Sequence, residues 1–186
     1  MSSKPKALRI TGPTVLTFLR ILLTIPVLIG LFLDNVPARI IAIVCFLIAS
    51  ITDFIDGSWA RHKKLVTELG TFLDPLADKA LVNLTFLALV VLGQVPVYIF
   101  GLILVRDFAV DGIRMLAAKN QITVAASDFG KWKTTIQMIT IVCLMINLMI
   151  NNQILADVNL VLLYIVLFMT LYSGLDYLIK GSKLMI

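Results

Sequence analysis

The feature that most constrains this chain is a series of six long apolar stretches separated by short polar breaks. Hydrophobic residues make up 60% of the 186 positions and charged residues 15%, whereas soluble domains are closer to about one half and one quarter. Each stretch approaches the roughly 20 residues that a helix needs to cross about 30 Å of hydrocarbon. We therefore expect an all-α integral membrane protein, a six-helix transmembrane bundle with helices at about 15–33, 38–61, 70–92, 95–118, 131–150 and 156–179.

Basic residues are distributed very unequally between the two sides of this predicted bundle. The breaks at 34–37, 93–96 and 151–153 are short polar turns on one side, where Arg39 is the only one of the 16 Lys and Arg residues. The other side carries both termini and the remaining basic residues. Because positively charged loops favour the cytoplasm, we expect a multi-pass protein of the cell inner (cytoplasmic) membrane, with both termini and the active site facing the cytoplasm.

The net charge of +5 does not indicate nucleic-acid binding, because the basic residues lie at the ends of apolar segments and form no separate basic face with aromatics. Such residues are suited to contacts with membrane lipids. Cys45 and Cys143 lie inside apolar stretches and His62 is the single histidine, so neither a disulfide framework nor a zinc site is expected. We expect residues 1–186 to form a single domain, with a short N-terminal interfacial segment, 1–13, that Pro13 separates from the first span.

Two groups of aspartates, each accompanied by Gly or Ala, stand where two apolar stretches meet the predicted cytoplasmic side. Ionised carboxylates beside hydrocarbon are costly, and a bound cation is the usual compensation. Their spacing places each group on one helix face, and a hairpin between helices two and three brings the faces together. Such oxygen ligands suit Mg²⁺ or Mn²⁺, and two ions would clamp a diphosphate. The residues are Asp53, Asp56, Gly57 and Ala60 in one group and Gly70, Asp74 and Asp78 in the other.

Judged from the residues alone, the four aspartates are also compatible with plain solvation, with prenyl transfer and with cation transport. A single Asp near Lys63 and Lys64 is often solvated or salt-bridged. Solvation alone is a poor explanation for four aspartates that have small residues on the same helix faces. Intramembrane prenyltransferases also hold a diphosphate with paired Asp-rich motifs, although on well-separated helices. A divalent-cation transporter is the alternative from a different class, but transport needs polar residues along a whole pathway, and helices five and six offer few.

The combined pattern D-x2-D-G-x2-A-R-x8-G-x3-D-x3-D, from Asp53 to Asp78, resembles the signature of the CDP-alcohol phosphatidyltransferases at every fixed position. Further similarity lies in the Pro-x3-Thr-x2-Arg opening at Pro13–Arg20, although the family often has Asn where this chain has Thr14. The resemblance covers most of the chain before helix six, which carries no motif. It is strongest to the bacterial branch whose acceptor is sn-glycerol 3-phosphate. It implies metal-dependent transfer of a phosphatidyl group from CDP-diacylglycerol, with CMP leaving, and a possible homodimer.

The resemblance also implies roles for individual residues. Asp53 and Asp74 would bridge two Mg²⁺ or Mn²⁺ ions, and Asp56 and Asp78 would each complete the coordination of one ion. Asp78 would also be the general base, taking a proton from the acceptor hydroxyl as that hydroxyl attacks the β-phosphorus of CDP-diacylglycerol. The residues that would hold the CDP-diacylglycerol head are Thr14, Thr17, Gly57, Ala60, Arg61, Thr67 and Gly70.

The acceptor is expected to carry a phosphate, because four basic residues lie on the predicted cytoplasmic side of helices four and five. They are Arg106, Arg114, Lys131 and Lys133. A phosphate monoester makes charge-assisted contacts that an uncharged alcohol does not. Positive-inside anchoring is the alternative for all four, and Arg106 also has Asp107 and Asp111 as partners within reach. These basic residues and the family resemblance together favour sn-glycerol 3-phosphate as the acceptor. Inositol phosphate, serine and a lipid alcohol are the alternative acceptors.

Overall fold

The computed structural model describes the backbone of residues 12–63, 68–119 and 128–185, and the side chains of 18–52, 79–117 and, apart from Lys131 and Leu178, 130–179. This described part consists of helices and short turns, with no strand. Its helices are α1 (Gly12–Phe32), α2 (Val36–Lys63), α3 (Glu68–Val91), α4 (Val97–Lys119), α5 (Asp128–Ile150) and α6 (Gln153–Met185). The contacts divide the chain into two units, the first ending at Thr85 and the second beginning at Phe86.

The six helices confirm the six predicted ones, and the differences fall at helix ends. α1 begins at Gly12, so Pro13 lies in its first turn, where Pro is favoured because its missing N–H would have no helical acceptor. Residues 1–11 lie outside the described part, so the interfacial segment that Pro13 was expected to separate from the first span stays a prediction. α6 continues past residue 179 to Met185, since Lys and Ser are accepted in a helix even where the sequence stops being apolar.

In the first unit, α1 and α2 approach closely because small residues line their contact. A Cβ added to Gly30 would lie 2.5 Å from the carbonyl oxygen of Ala38 and 2.9 Å from the Cβ of Ala42, so glycine is the residue that fits here. The turn between the helices is closed by Asn35, whose Oδ1 accepts the N–H of Ala38 at 2.8 Å and caps α2. At Gly30 the contact thus depends on the close approach of the two backbones.

The predicted turn at 93–96 ends α3 through a glycine cap. Gly93 has a φ of 73°, in the left-handed region where glycine carries no steric penalty. Its N–H donates to the carbonyl of Val90 at 3.0 Å, and the N–H of Gln94 donates to the carbonyl of Leu89 at 2.9 Å. These two bonds form a Schellman motif, which satisfies carbonyl groups that the end of the helix would leave unpaired.

Three asparagines build the turn between α5 and α6. Asn151 has a φ of 49°, and its N–H donates to the carbonyl of Asn147 at 2.8 Å. The side-chain oxygen of Asn147 accepts the N–H of Asn152 at 3.2 Å. Asn152 in turn caps α6, because its Oδ1 accepts the N–H of Ile154 at 2.8 Å. The turn therefore satisfies its own polar groups, and α5 and α6 pack against each other.

α6 exposes many apolar side chains and buries several polar ones, unlike a typical helix of a water-soluble protein. Asn159, Thr170 and Ser173 are buried, whereas the side chain of Phe168 is 70% exposed. Between helices in a membrane, polar side chains form hydrogen bonds while apolar ones face lipid. In agreement, the amide of Asn159 donates to the carbonyl of Cys143 on α5 at 3.4 Å.

Two helical stretches in the described part of the chain are long and apolar enough to cross a membrane, Trp132–Ile150 and Gln153–Tyr177. Shorter apolar stretches occur at Phe18–Phe32, Val36–Thr52 and Lys79–Val91. Together with the exposed apolar face of α6, they indicate a membrane protein.

Candidate active site

The predicted carboxylate site falls where α2 ends and α3 begins. Asp53 and Asp56 lie three residues apart on α2, and Asp74 and Asp78 lie four residues apart on α3, so each pair shares a helix face. The side chains of all four lie outside the described part of the structure. The same holds for the predicted substrate contacts on these helices, Gly57, Ala60 and Arg61 on α2 and Gly70 on α3.

The two pairs of aspartates lie at similar distances from the neighbouring ends of α2 and α3. Asp56 lies seven residues before the end of α2, Asp74 lies six residues after the start of α3, and Asp53 and Asp78 are each ten residues from those ends. At 1.5 Å per residue, the nearer member of each pair is about 10 Å from the helix end and the farther about 15 Å. The two ends are joined by five residue steps, which span at most about 18 Å. This geometry is compatible with convergence of the four side chains, which stays a prediction.

The donor chemistry of the motif fits a hard divalent cation. Its fixed positions offer carboxylates and no Cys or His, and oxygen ligands of this kind suit Mg²⁺ and Mn²⁺. Among the side chains that the structure describes, no group of three or more His, Cys, Asp or Glu is placed to hold a metal ion. The four aspartates are not among those side chains, so the two-ion site stays a prediction.

Four other predicted binding residues lie at the margins of the described chain. Thr14 and Thr17 belong to the first turns of α1, and Lys131 belongs to the first turn of α5. Only the backbone of these three residues is described, and Thr67 lies outside the described residues altogether. Their contacts with CDP-diacylglycerol and with the acceptor phosphate stay predictions.

A connected group of charged side chains in the second unit contains the other predicted acceptor-binding residues. Oδ1 of Asp107 accepts a hydrogen bond from Nη1 of Arg106 at 2.8 Å, and Nζ of Lys133 donates to Oδ1 and Oδ2 at 2.9 and 3.0 Å. The side chains of Arg106, Asp107 and Lys133 are 13%, 14% and 3% exposed, so these are interior ion pairs. Of the two partners considered for Arg106, Asp107 is therefore the one with which it pairs.

α6 supplies the remaining partners of the two arginines. Nη2 of Arg106 donates to Oγ of Ser173 at 2.7 Å, and Nη2 of Arg114 donates to the hydroxyl of Tyr177 at 2.6 Å. The central guanidinium carbons of Arg106 and Arg114 lie 5.8 and 5.2 Å from the centroid of the Tyr177 ring, within the range of cation–π attraction. We refer to this group as the cation cluster: Arg106, Asp107, Arg114, Lys133, Ser173 and Tyr177.

Sequence reasoning did not single out the α6 members of the cation cluster. Tyr177 follows Ser173 by four residues and Gly174 by three, so it shares a helix face with each of them, and all three interrupt the apolar run of α6. A Cβ added to Gly174 would lie 3.0 Å from Cγ of Arg106, so this face also accommodates the arginine stem. The signal in the sequence that could have identified these residues is a serine, a glycine and a tyrosine close together on an otherwise apolar helix.

The sequence matches the CDP-alcohol phosphatidyltransferase family over residues 10–172, which include all four aspartates of the motif. It is 40% identical over 167 residues to the CDP-diacylglycerol–glycerol-3-phosphate 3-phosphatidyltransferase of Rickettsia bellii, covering 89% of this chain and 92% of that protein. Identity to the Bacillus subtilis protein of the same name is 36% over 149 residues, covering 80% and 77%. A probable phosphatidylglycerophosphate synthase of Mycobacterium tuberculosis is 30% identical over 193 residues, covering 98% and 90%. The chain therefore belongs to the CDP-alcohol phosphatidyltransferase family.

Proposed function

We propose that this protein transfers the phosphatidyl group of CDP-diacylglycerol to sn-glycerol 3-phosphate. An acceptor hydroxyl oxygen attacks the phosphorus that carries the diacylglycerol, the bond from that phosphorus to CMP breaks, and CMP leaves with phosphatidylglycerophosphate as the second product. The observation that carries this proposal is the match to relatives of that name over most of their own length, with every aspartate of the signature present.

The four aspartates are the residues that would hold two Mg²⁺ or Mn²⁺ ions. Ions bound there supply positive charge that stabilises the diphosphate and the departing CMP. Asp78 accepts the proton of the acceptor hydroxyl, which makes the attacking oxygen more nucleophilic. Support comes from the carboxylate-only donor set and from the shared helix faces of Asp53 with Asp56 and of Asp74 with Asp78.

The donor lipid is held by small and hydrogen-bonding residues around the aspartates. Gly57, Ala60 and Gly70 leave room for the nucleotide against the helix backbone, and the planar guanidinium of Arg61 suits a diphosphate. Thr14, Thr17 and Thr67 contribute hydroxyl groups to the same task. This part of the proposal is supported by the fixed positions of the signature.

The phosphate of the acceptor binds to Arg106 and Arg114, assisted by Lys131 and Lys133. Arg114 is an exposed residue, and Nε of Arg106 finds no hydrogen-bond acceptor among the described residues, so both guanidinium groups retain donors for an anion. The ammonium of Lys133 already bonds both oxygens of Asp107. Its main contribution is therefore to hold that carboxylate against Arg106.

The reaction takes place at the cytoplasmic face of the cell inner membrane, which six helices cross with both termini in the cytoplasm. This topology is supported by the position of Arg39 as the one basic residue on the opposite side of the predicted bundle. The exposed apolar face of α6 provides the contact with membrane lipids, and a homodimer is the assembly that the family resemblance implies.

The test is an assay of the purified protein in detergent micelles with CDP-diacylglycerol and a panel of acceptors. We expect CMP release with sn-glycerol 3-phosphate and not with glycerol, serine or free inositol, loss of activity in EDTA, and recovery when Mg²⁺ or Mn²⁺ is returned. Efficient use of glycerol or serine would overturn the acceptor assignment. Divalent-cation uptake into vesicles without any CMP release would instead support the transporter.

A further inference from the structure

We propose that α6 supports the acceptor site, and that its residue Tyr177 positions both Arg106 and Arg114 to bind one phosphate monoester. This inference rests on the proposed function, because it concerns how that site selects an anionic acceptor. The family match ends at residue 172, just before the three α6 residues involved. Tyr177 itself is 2% exposed, so its role is to hold the arginines rather than to meet the bulk solvent.

A shared aromatic ring solves an electrostatic problem that two neighbouring arginines create. Two guanidinium groups repel each other, and on flexible stems they would separate in the absence of an anion. The face of a tyrosine ring carries negative electrostatic potential and attracts both cations at 5–6 Å. The hydroxyl of Tyr177 additionally fixes Arg114 through the 2.6 Å hydrogen bond from Nη2. Tyr177 therefore keeps the two charges together before the substrate arrives.

The other contacts of Arg106 fix the direction of its guanidinium. Nη1 is held by Asp107 on its own helix, and Nη2 by Ser173 on α6. The stem of Arg106 runs against Gly174, where an added Cβ would lie 3.0 Å from its Cγ. The side chain is thus restrained along its length by two helices, and this restraint lowers the conformational entropy that phosphate binding would otherwise cost.

Restraint does not exhaust the hydrogen-bonding capacity of the arginines. A guanidinium has five N–H donors, and the described contacts of Arg114 use one of them. Arg106 makes two described side-chain hydrogen bonds, and its Nε finds no acceptor among the described residues. A phosphate monoester offers several acceptor oxygens and about two negative charges, which match this pair of restrained cations. An uncharged alcohol offers hydroxyl acceptors but no negative charge.

The experiment separates the hydroxyl of Tyr177 from its ring. Tyr177→Phe removes the hydrogen bond to Arg114 and keeps the cation–π contacts, whereas Tyr177→Leu removes both. We expect the KM for sn-glycerol 3-phosphate to rise about threefold in Tyr177→Phe and at least about tenfold in Tyr177→Leu, within the energies of a hydrogen bond to a charged group and of cation–π attraction. The KM for CDP-diacylglycerol should stay within twofold. Tyr172→Leu, at an exposed position of the same helix, is the matched control and should change neither constant.

Binding is measured separately from turnover, as the rise in Tm of the purified protein that sn-glycerol 3-phosphate causes. At one fixed concentration of sn-glycerol 3-phosphate we expect a rise in the parent and in Tyr172→Leu, a smaller one in Tyr177→Phe and the smallest in Tyr177→Leu; should Tyr177→Leu not fold, Tyr177→Phe decides. An unchanged KM and an unchanged Tm response in the Tyr177 variants would overturn the positioning role, as would the lack of any response in the parent. A parent that binds the phosphate without releasing CMP would overturn only the proposed reaction.

Discussion

The two units of this protein differ in where charge lies relative to the contacts that hold their helices together. In the first unit, α1 and α2 approach closely at Gly30 and Ala42, where the contacting groups are a backbone carbonyl and a methyl group. Ala42 and Asp53 are eleven residues apart, about 17 Å along α2. In the second unit, the helix contacts themselves include charged groups, because Arg106 meets Ser173 and Lys133 meets Asp107.

This difference indicates how far stability and function are coupled in each unit. Apolar side chains gain little by leaving lipid for another helix, so helices in a membrane associate through close packing and interhelical hydrogen bonds. At Gly30 the first unit relies on close packing, and its carboxylates are the residues proposed for the chemistry. The second relies partly on polar contacts, and the same arginines that hold α4 to α6 are those proposed to bind the acceptor. Mutations should therefore separate activity from stability in the first unit and change both in the second.

The largest effect is expected from the aspartates of the first unit. Replacing Asp53, Asp56, Asp74 or Asp78 singly with Asn should lower kcat at least about a hundredfold, the scale of losing a metal or general-base contribution. The Tm should stay close to that of the parent, because these residues are proposed to act in metal binding and catalysis rather than in helix packing. CMP release and thermal unfolding in detergent measure the two quantities. Near-parent activity in two or more of these variants would exclude the two-ion site.

Removing the central carboxylate of the cation cluster should lower stability and weaken acceptor binding. Asp107→Ala leaves the buried Arg106 and Lys133 without this shared partner, and breaking a buried ion pair in this way costs about 3–5 kcal/mol. We expect a clearly lower Tm together with a raised KM for sn-glycerol 3-phosphate. Asp157→Ala is the control, because Asp157 is exposed on α6 and bonds only weakly to Gln153 at 3.2 Å. A normal Tm with an altered KM in Asp107→Ala would contradict the coupling.

Close packing in the first unit is tested by adding one methyl group. Gly30→Ala places a Cβ 2.5 Å from the Ala38 carbonyl oxygen, so the helices must move apart, at an expected cost of about 1–3 kcal/mol. The Tm should fall, while kcat and both KM values measured well below that temperature stay unchanged. Gly112→Ala on α4, where the added Cβ meets nothing within 4 Å, is the matched control and should not lower the Tm. Equal Tm values for the two variants would show that α1 and α2 are not closely packed.

The smallest effect is expected from the ion pair at the turn between α1 and α2. Nη2 of Arg39 lies 2.7 Å from Oδ1 of Asp34, whose side chain is 94% exposed. Exposed pairs contribute at most about 1 kcal/mol, so Asp34→Ala should change the Tm little and the kinetics not at all. If Asp34→Ala lowered the Tm as much as Asp107→Ala, burial would not explain the difference between the exposed Asp34–Arg39 pair and the interior pairs of Asp107.

The helices were predictable because their signal is local. Apolar stretches of membrane-spanning length indicated the number and order of the helices, and turn residues such as Gly93 and Asn151 marked the breaks. The ends were harder, since a membrane span stops at polar residues but a helix does not. α5 begins at Asp128 and α6 extends to Met185, because acidic residues suit a first helical turn and lysines suit a last one.

The sequence indicates a candidate site where its residues are close together in the chain, and the convergence of the aspartates stays a prediction. The aspartates occupy 26 consecutive positions, and helical spacing alone assigns them to two faces. The partners of the arginines on α6 were not predicted, because Ser173 is 67 positions from Arg106 and Tyr177 is 63 positions from Arg114. No local periodicity reports which distant helix a side chain will meet. Asp107 was considered as a partner of Arg106 because it is the next residue in the chain, whereas the distant Tyr177 was not considered.

The asparagine turn between α5 and α6 has a consequence for the order in which contacts form. Two residues, Asn151 and Asn152, connect these helices, so bringing them together closes a very short loop at little entropic cost. The bond from Arg106 to Ser173 closes a loop of 67 positions, and contacts of such high sequence separation slow folding. The last two helices therefore form a hairpin from local contacts, whereas the cation cluster forms only when α4 meets α6. The proposed acceptor site is accordingly a property of the completed second unit and of none of its helices alone.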